Sequence, residues 1–143
     1  FFVRNDGSDL SQLFSKFEHV SVRQYFSELT GINCYDGKLR IELCQDNPGF
    51  YLEPHVDILE KLITLQFYIG EGDRAWGTSV YDKQYGLILE KYMTVPFEHN
   101  SGWMSHCKGK VVHGVEPNVV DGTRKSVIIN YVVGDWRDTD QLY

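Results

Sequence analysis

The sequence has no C-x-x-C pair and only three cysteines, Cys34, Cys44 and Cys107, set far apart. An odd number at that spacing argues against a disulfide framework and a structural zinc site, and fits unpaired thiols in a reducing cytoplasm. No apolar run reaches the roughly 18 residues that would read as a membrane-crossing helix. Basic residues are scarce: 14 Lys and Arg stand against 20 Asp and Glu, a net charge of -6 at pH 7. That sign is wrong for gripping a phosphate backbone, so no nucleic-acid partner is expected. There is no initiating Met, and Phe1-Phe2-Val3-Arg4-Asn5 lacks the charged-then-apolar layout of a leader, the opening expected of a trimmed chain. No internal repeat, low-complexity tract or linker interrupts the 143 residues, so a single domain is expected.

What is present can build a core, with 42% hydrophobic and 14% aromatic residues. Leu10, Leu13, Phe14 and Phe17 recur at i, i+3, i+4, i+7, one stripe of a helical period, with Ser8 or Asp9 placed to cap its start. Val22, Tyr25, Phe26 and Leu29 repeat the spacing, and Gly31 is placed to stop the second helix. Helical support is therefore expected over about residues 8–30. From Leu39 the period changes to two, and strands are expected at 39–44, 50–57, 61–70, 78–82, 87–95, 102–107, 111–115 and 125–134. The expected fold is mainly β: a closed or sandwiched antiparallel sheet over about 39–134, backed by two N-terminal helices.

Two strands indicate how their faces divide. Ile63, Leu65, Phe67 and Ile69 alternate with Leu62, Thr64, Gln66 and Tyr68. Val127, Ile129, Tyr131 and Val133 alternate with Arg124, Ser126, Ile128 and Asn130. The apolar faces suit the helical stripes, and the mixed faces suit the lining of a polar pocket.

The segment Gly49–Asp57 holds His55-x-Asp57, two residues that project to one face of a strand and can reach one metal together. His113, within Val111-Val112-His113-Gly114-Val115, is the candidate third ligand. Two His and one carboxylate on one side of a metal leave the other positions open, the facial triad of non-haem iron(II) oxygenases. Eleven positions on, Arg124 and Ser126 again share a face, and a guanidinium fork beside a hydroxyl matches a carboxylate. His106 is the reserve ligand. His19 at a helix end and His99 in a turn read as structural, and Trp76, Trp103 and Trp136 as core or rim aromatics.

The order His55-x-Asp57, His113, Arg124-x-Ser126 resembles the 2-oxoglutarate- and iron(II)-dependent oxygenases, nearest the prolyl-hydroxylase-like branch. Pro48-Gly49-Phe50-Tyr51-Leu52-Glu53-Pro54, Thr64-Leu65-Gln66-Phe67-Tyr68-Ile69, Gly77-Thr78-Ser79-Val80-Tyr81 and His113-Gly114-Val115-x-Pro117 resemble stretches of that branch as well, so the likeness covers about residues 39–134. It implies a double-stranded β-helix, or jelly roll, with His55, Asp57 and His113 as iron ligands. Arg124, assisted by Ser126, would take the far carboxylate of 2-oxoglutarate, and Tyr68 matches a position where some members place a hydroxyl on that carboxylate. The cofactor set implied is Fe(II), 2-oxoglutarate and O2, with succinate and CO2 released, and the presence of Asp57 implies hydroxylation rather than halogenation. The substrate expected is a small molecule or a protein side chain, read by rim loops at about 70–77, 82–86 and 97–102. A jelly-roll module that binds a metal or small ligand without oxygen chemistry is the alternative.

Overall fold

The computed structural model describes residues 10–84, 88–136 and 142. Helix α1 (Ser11–Glu18) and helix α2 (Val20–Thr30) precede eight strands: β1 (Lys38–Asp46), β2 (Leu52–His55), β3 (Lys61–Ile69), β4 (Thr78–Gln84), β5 (Ile88–Val95), β6 (Gly102–His106), β7 (Val112–Val115) and β8 (Arg124–Val132). They form two antiparallel four-stranded sheets, in the orders β1-β8-β3-β6 and β2-β7-β4-β5. The chain passes from one sheet to the other and back, as a double-stranded β-helix requires.

The alternation in β3 and β8 works as the sequence predicts. Ile63, Leu65, Ile129 and Tyr131 join Leu39, Ile41 and Val127 in a buried cluster, against which Leu13, Phe14, Phe17 and Phe26 of the helices pack. The opposite face presents Thr64, Gln66, Arg124, Ser126 and Ile128 to a cavity. Tyr68 belongs instead to a second buried cluster with Trp76, Phe97, Val115 and Val120.

Several expectations change. The N-cap position of α1 is Leu10, with no side-chain cap, and the caps expected at Ser8 or Asp9 lie outside the described residues. In α2 the helical period is right, and Phe26 packs on the core as expected, but the inward face is turned away from Tyr25 and Leu29. Tyr25 and Leu29 are 60% and 56% exposed, while the inward row is Arg23, Phe26, Ser27 and Thr30. The reason is polar. Arg23 is buried and donates from Nη1 to the carbonyls of Cys34 and Gly37, and its Nη2 donates to Glu18 Oε1 at 2.5 Å. Ser27 Oγ accepts from the Cys34 amide at 3.0 Å and Thr30 Oγ1 from the Ile32 amide at 3.2 Å. These bonds tie α2 to the connection into β1, and unmet carbonyls and amides there would cost more than the exposure of two apolar side chains. Gly31 ends α2 at φ 67°, as its lack of a side chain permits.

Strand β2 is shorter than expected and ends at His55, so Asp57 sits just beyond it. Pro54 has no N–H to give a ladder, and β2 lies at a sheet edge where that loss is tolerated. Its neighbour in the sheet, β7, comes unusually near: a Cβ added at Gly114 would stand 2.5 Å from the Leu52 carbonyl oxygen and 3.1 Å from Pro54 N. The loop expected at 82–86 falls partly in β4, and residues 85–87 lie outside the described set.

Candidate metal centre

β2 and β7 pair so that His55 lies directly opposite His113. Their rings are 4.5 Å apart, and with Asp57 they offer three ligand atoms that all lie within 4.8 Å of one another. Both imidazoles are set by the backbone. His55 Nδ1 is 2.9 Å from the Glu53 carbonyl and His113 Nδ1 is 3.1 Å from the Val111 carbonyl. A carbonyl can only accept, so each Nδ1 carries a proton, and each Nε2 is the ring nitrogen left to face a metal. Burial pulls the His113 pKa down, which favours the neutral ring. Trp103 packs against His113 in a tilted contact, ring centroids 4.7 Å apart.

Asp57 is held by two residues of β3. Lys61 Nζ donates to Oδ1 at 2.7 Å, and Thr64 Oγ1 donates to Oδ2 at 3.0 Å. Burial alone would raise the Asp57 pKa, but Lys61 beside it and the further hydrogen bonds bring it below its usual value. Thr64 Oγ1 also lies 2.9 Å from the Asn130 amide oxygen, while Asn130 Nδ2 has no partner. One hydroxyl proton cannot serve two acceptors, and the ionised Asp57 must receive it. The Asn130 amide is therefore turned over, so that its NH2 donates to Thr64 and its oxygen replaces the buried, unpartnered nitrogen. The result is a relay from the inner face of β8, through β3, to the carboxylate: Asn130 to Thr64 to Asp57.

The triad opens on a cavity of about 290 Å³. Along β8, Arg124 lies six residues from Asn130, or about 20 Å of strand. Arg124 is 2% exposed; Nε donates to the Trp76 carbonyl at 2.6 Å, Nη1 to Asp46 Oδ2 at 2.5 Å and Nη2 to Thr78 Oγ1 at 3.4 Å. Its guanidinium carbon lies 5.3 Å from the centre of the Tyr68 ring, but the Tyr68 hydroxyl donates to Thr78 Oγ1 and accepts from the Thr78 amide, both at 2.8 Å. Tyr68 thus meets Arg124 with its ring face. Ser126 Oγ lies in the cavity wall and accepts from Gln66 Nε2 at 3.0 Å. Gln66 Oε1 accepts from Trp103 Nε1 at 2.7 Å and from Thr78 at 3.0 Å. Because an indole can only donate, this fixes the Gln66 amide and links the Trp103 end of the wall to the Arg124 end.

Among the other sequence candidates, His106 pairs with Ile63 in the first sheet and is not part of the triad. His99 Nδ1 accepts from the Gly70 amide, and His19 caps α2. Trp76 bonds Asp121, and Trp136 lies against Arg40. Asp46, Lys61 and Thr78 were not singled out from sequence as contributors, and Thr64 and Gln66 only as members of a mixed face suited to a polar pocket. Asp46 had a signal, since Arg40, Glu42, Cys44 and Asp46 alternate with Leu39, Ile41 and Leu43, but β1 runs two residues further than the sequence pattern suggested.

Two imidazoles with Nδ1 committed to carbonyls and one ionised carboxylate, converging from one side onto an open cavity, form a donor set that suits iron(II). No protein-family model matches the sequence, and no curated protein matches it. Solved structures do resemble it. A 2OG-Fe(II) oxygenase family oxidoreductase from Burkholderia pseudomallei superposes with a TM-score of 0.58 at 12% identity, over 85% of this chain and 57% of that one. A prolyl-4-hydroxylase from Pseudomonas putida gives 0.58 at 13%, over 92% and 70%. The non-heme alpha-ketoglutarate-dependent epimerase SnoN of nogalamycin biosynthesis gives 0.61 at 16%, over 92% and 60%. The chain therefore spans 57% to 70% of the length of these proteins. At such identities the likeness establishes the fold, and the chain is a double-stranded β-helix of the kind built by 2-oxoglutarate–iron(II) oxygenases.

Proposed function

We propose that the protein is a 2-oxoglutarate- and iron(II)-dependent dioxygenase that hydroxylates a small molecule or a protein side chain. The observation that carries this reading is the convergence of His55, Asp57 and His113 at a cavity whose wall also holds Arg124 and Ser126. In it, His55 and His113 present Nε2 and Asp57 a carboxylate oxygen to the metal. Arg124 and Ser126 receive the far carboxylate of the co-substrate, and Tyr68 supports the guanidinium through its ring. Iron(II), 2-oxoglutarate and O2 together would supply oxidative decarboxylation to succinate and CO2 and hydroxylation of a C–H bond. The residues' own tasks are positional: the Asn130–Thr64 relay and Lys61 hold Asp57, and Trp103 packs against His113.

Tyr51, Leu52, Val56, Ile58 and Leu59 are all exposed next to the triad, which suits a substrate with an apolar part. The net charge of -6 weighs against a polyanionic substrate. Cys34, Cys44 and Cys107 are free thiols, which suits the cytoplasm. No helix among the described residues is long and apolar enough to cross a membrane. The second reading is a jelly-roll module that holds a metal without oxygen chemistry. It draws on Asp46, which already occupies one arm of Arg124.

Anaerobic iron(II) with 2-oxoglutarate separates the two. The dioxygenase should develop a visible charge-transfer band, lose it in His55→Ala, and release succinate when O2 is admitted. If no band forms, and His55→Ala leaves 2-oxoglutarate affinity unchanged, the dioxygenase reading is rejected.

A further inference from the structure

Asp46 is the last residue of β1 and pairs directly with Arg124, the first residue of β8. Both side chains reach the same cavity, and both residues are nearly inaccessible, at 4% and 2% exposure. Their ion pair is 2.5 Å long. The other described side chains around it add no positive charge to spare. On Asp46's own strand, Cys44 has its thiol pKa pushed up to about 12 by burial and the neighbouring acids, so it stays uncharged, and Glu42 is ion-paired with Arg40. Across from Asp46, β8 contributes Arg124 alone as a charged partner. The turn and strand on the far side contribute the Trp76 carbonyl and the Thr78 hydroxyl, both uncharged.

Among the described side chains the Arg124 end of the cavity is therefore balanced: one cation with its counter-ion already in place. A dicarboxylate arriving there brings a second anion to a buried cation that has one. Two carboxylates sharing one guanidinium in a low-dielectric site cannot both remain ionised without a large repulsion, and uptake of a proton by one of them relieves it.

Resting on the dioxygenase reading above, we propose that Asp46 sets dicarboxylate affinity in this cavity: 2-oxoglutarate binds with uptake of one proton by Asp46. The protonated carboxyl then donates a hydrogen bond to the incoming carboxylate, which takes over the Arg124 fork. Burial already raises the Asp46 pKa above its usual value despite Arg124, so the shift needed on binding begins from a favourable point. The consequence is a pH-dependent co-substrate affinity. Between the pKa of Asp46 in the free protein and its higher value in the complex, each added pH unit weakens binding by up to about tenfold.

The test is calorimetric titration of the Mn(II)-loaded full chain with 2-oxoglutarate, in two buffers of different ionisation enthalpy. Pyruvate, a 2-oxo acid with no distal carboxylate, serves as the control. The result expected is uptake of about one proton with 2-oxoglutarate and none with pyruvate. Asp46→Asn should abolish the uptake, flatten the pH profile and tighten 2-oxoglutarate about tenfold at pH 8, a gain that structural damage does not produce. Binding of 2-oxoglutarate to the unmodified chain without proton uptake overturns the inference and leaves the dioxygenase reading standing, and this measurement decides the matter even if Asp46→Asn fails to fold. If neither protein binds 2-oxoglutarate, the dioxygenase reading itself falls, and the role of Asp46 with it.

Discussion

Each end of the cavity holds a carboxylate bonded to a cation, and the two pairs differ in almost every physical respect. At the triad, Asp57 and Lys61 keep 13% and 23% of their side-chain surface, and at the other end Asp46 and Arg124 keep 6% and 2%. Asp57 ends below its usual pKa and Asp46 above it, although both accept a hydrogen bond from a cation. The difference lies in what else serves the carboxylate. Asp57 receives a second donor, Thr64, on its other oxygen and has His113 nearby, whereas Asp46 Oδ2 receives Arg124 and burial outweighs it. An ion pair by itself does not decide the charge state of a buried acid; the count of donors against the loss of water does.

Breaking the deeper pair should have the largest effect. Arg124→Met leaves Asp46 buried without its cation and should cost about 3–5 kcal/mol in urea unfolding of the metal-free protein. Thr64→Val acts on the other end and should spare most of the stability. It removes the relay to Asp57 and should weaken Co(II) binding about 10–100-fold in a spectroscopic titration. Trp103→Phe keeps a ring against His113 but removes the donor to Gln66, a loss of about 1 kcal/mol in the same unfolding assay. Lys61→Met should be mildest, about 1 kcal/mol or less, because its pair is partly solvated.

Acid titration sharpens the contrast through its sign. The Asp57 pKa is depressed by folding, so its stabilisation is complete above about pH 4 and fades as pH falls through the lower folded value. The Asp46 pKa is raised, so its contribution runs the other way and improves as pH falls from neutrality toward about 4. Unfolding midpoints of the metal-free protein between pH 3 and 7 should therefore lose their acid limb from Asp57 in Lys61→Met, and their opposing contribution in Asp46→Asn.

His55-x-Asp57 was legible because its spacing is local, and the division of β3 and β8 into two faces was legible because alternation survives any topology. The groups that tune the site were not. Asp46 meets Arg124 across 78 positions, Thr64 meets Asn130 across 66 and Gln66 meets Ser126 across 60. Those meetings depend on β8 lying between β1 and β3, an order that no local pattern encodes. The inward face of α2 was hidden for a related reason. Arg23 is buried by carbonyls in the connection after the helix, so hydrophobic periodicity pointed to Tyr25 and Leu29 instead.

Gly114 couples the triad to the packing of the main chain. It stands one residue after His113, where β7 presses on the Leu52 carbonyl of the strand that carries His55. The separation of the two imidazoles is thus gauged by backbone against backbone, with a hydrogen atom as the shim. Rim residues can drift without altering that gauge, whereas a single methyl at this one position would act as a wedge between the two histidines.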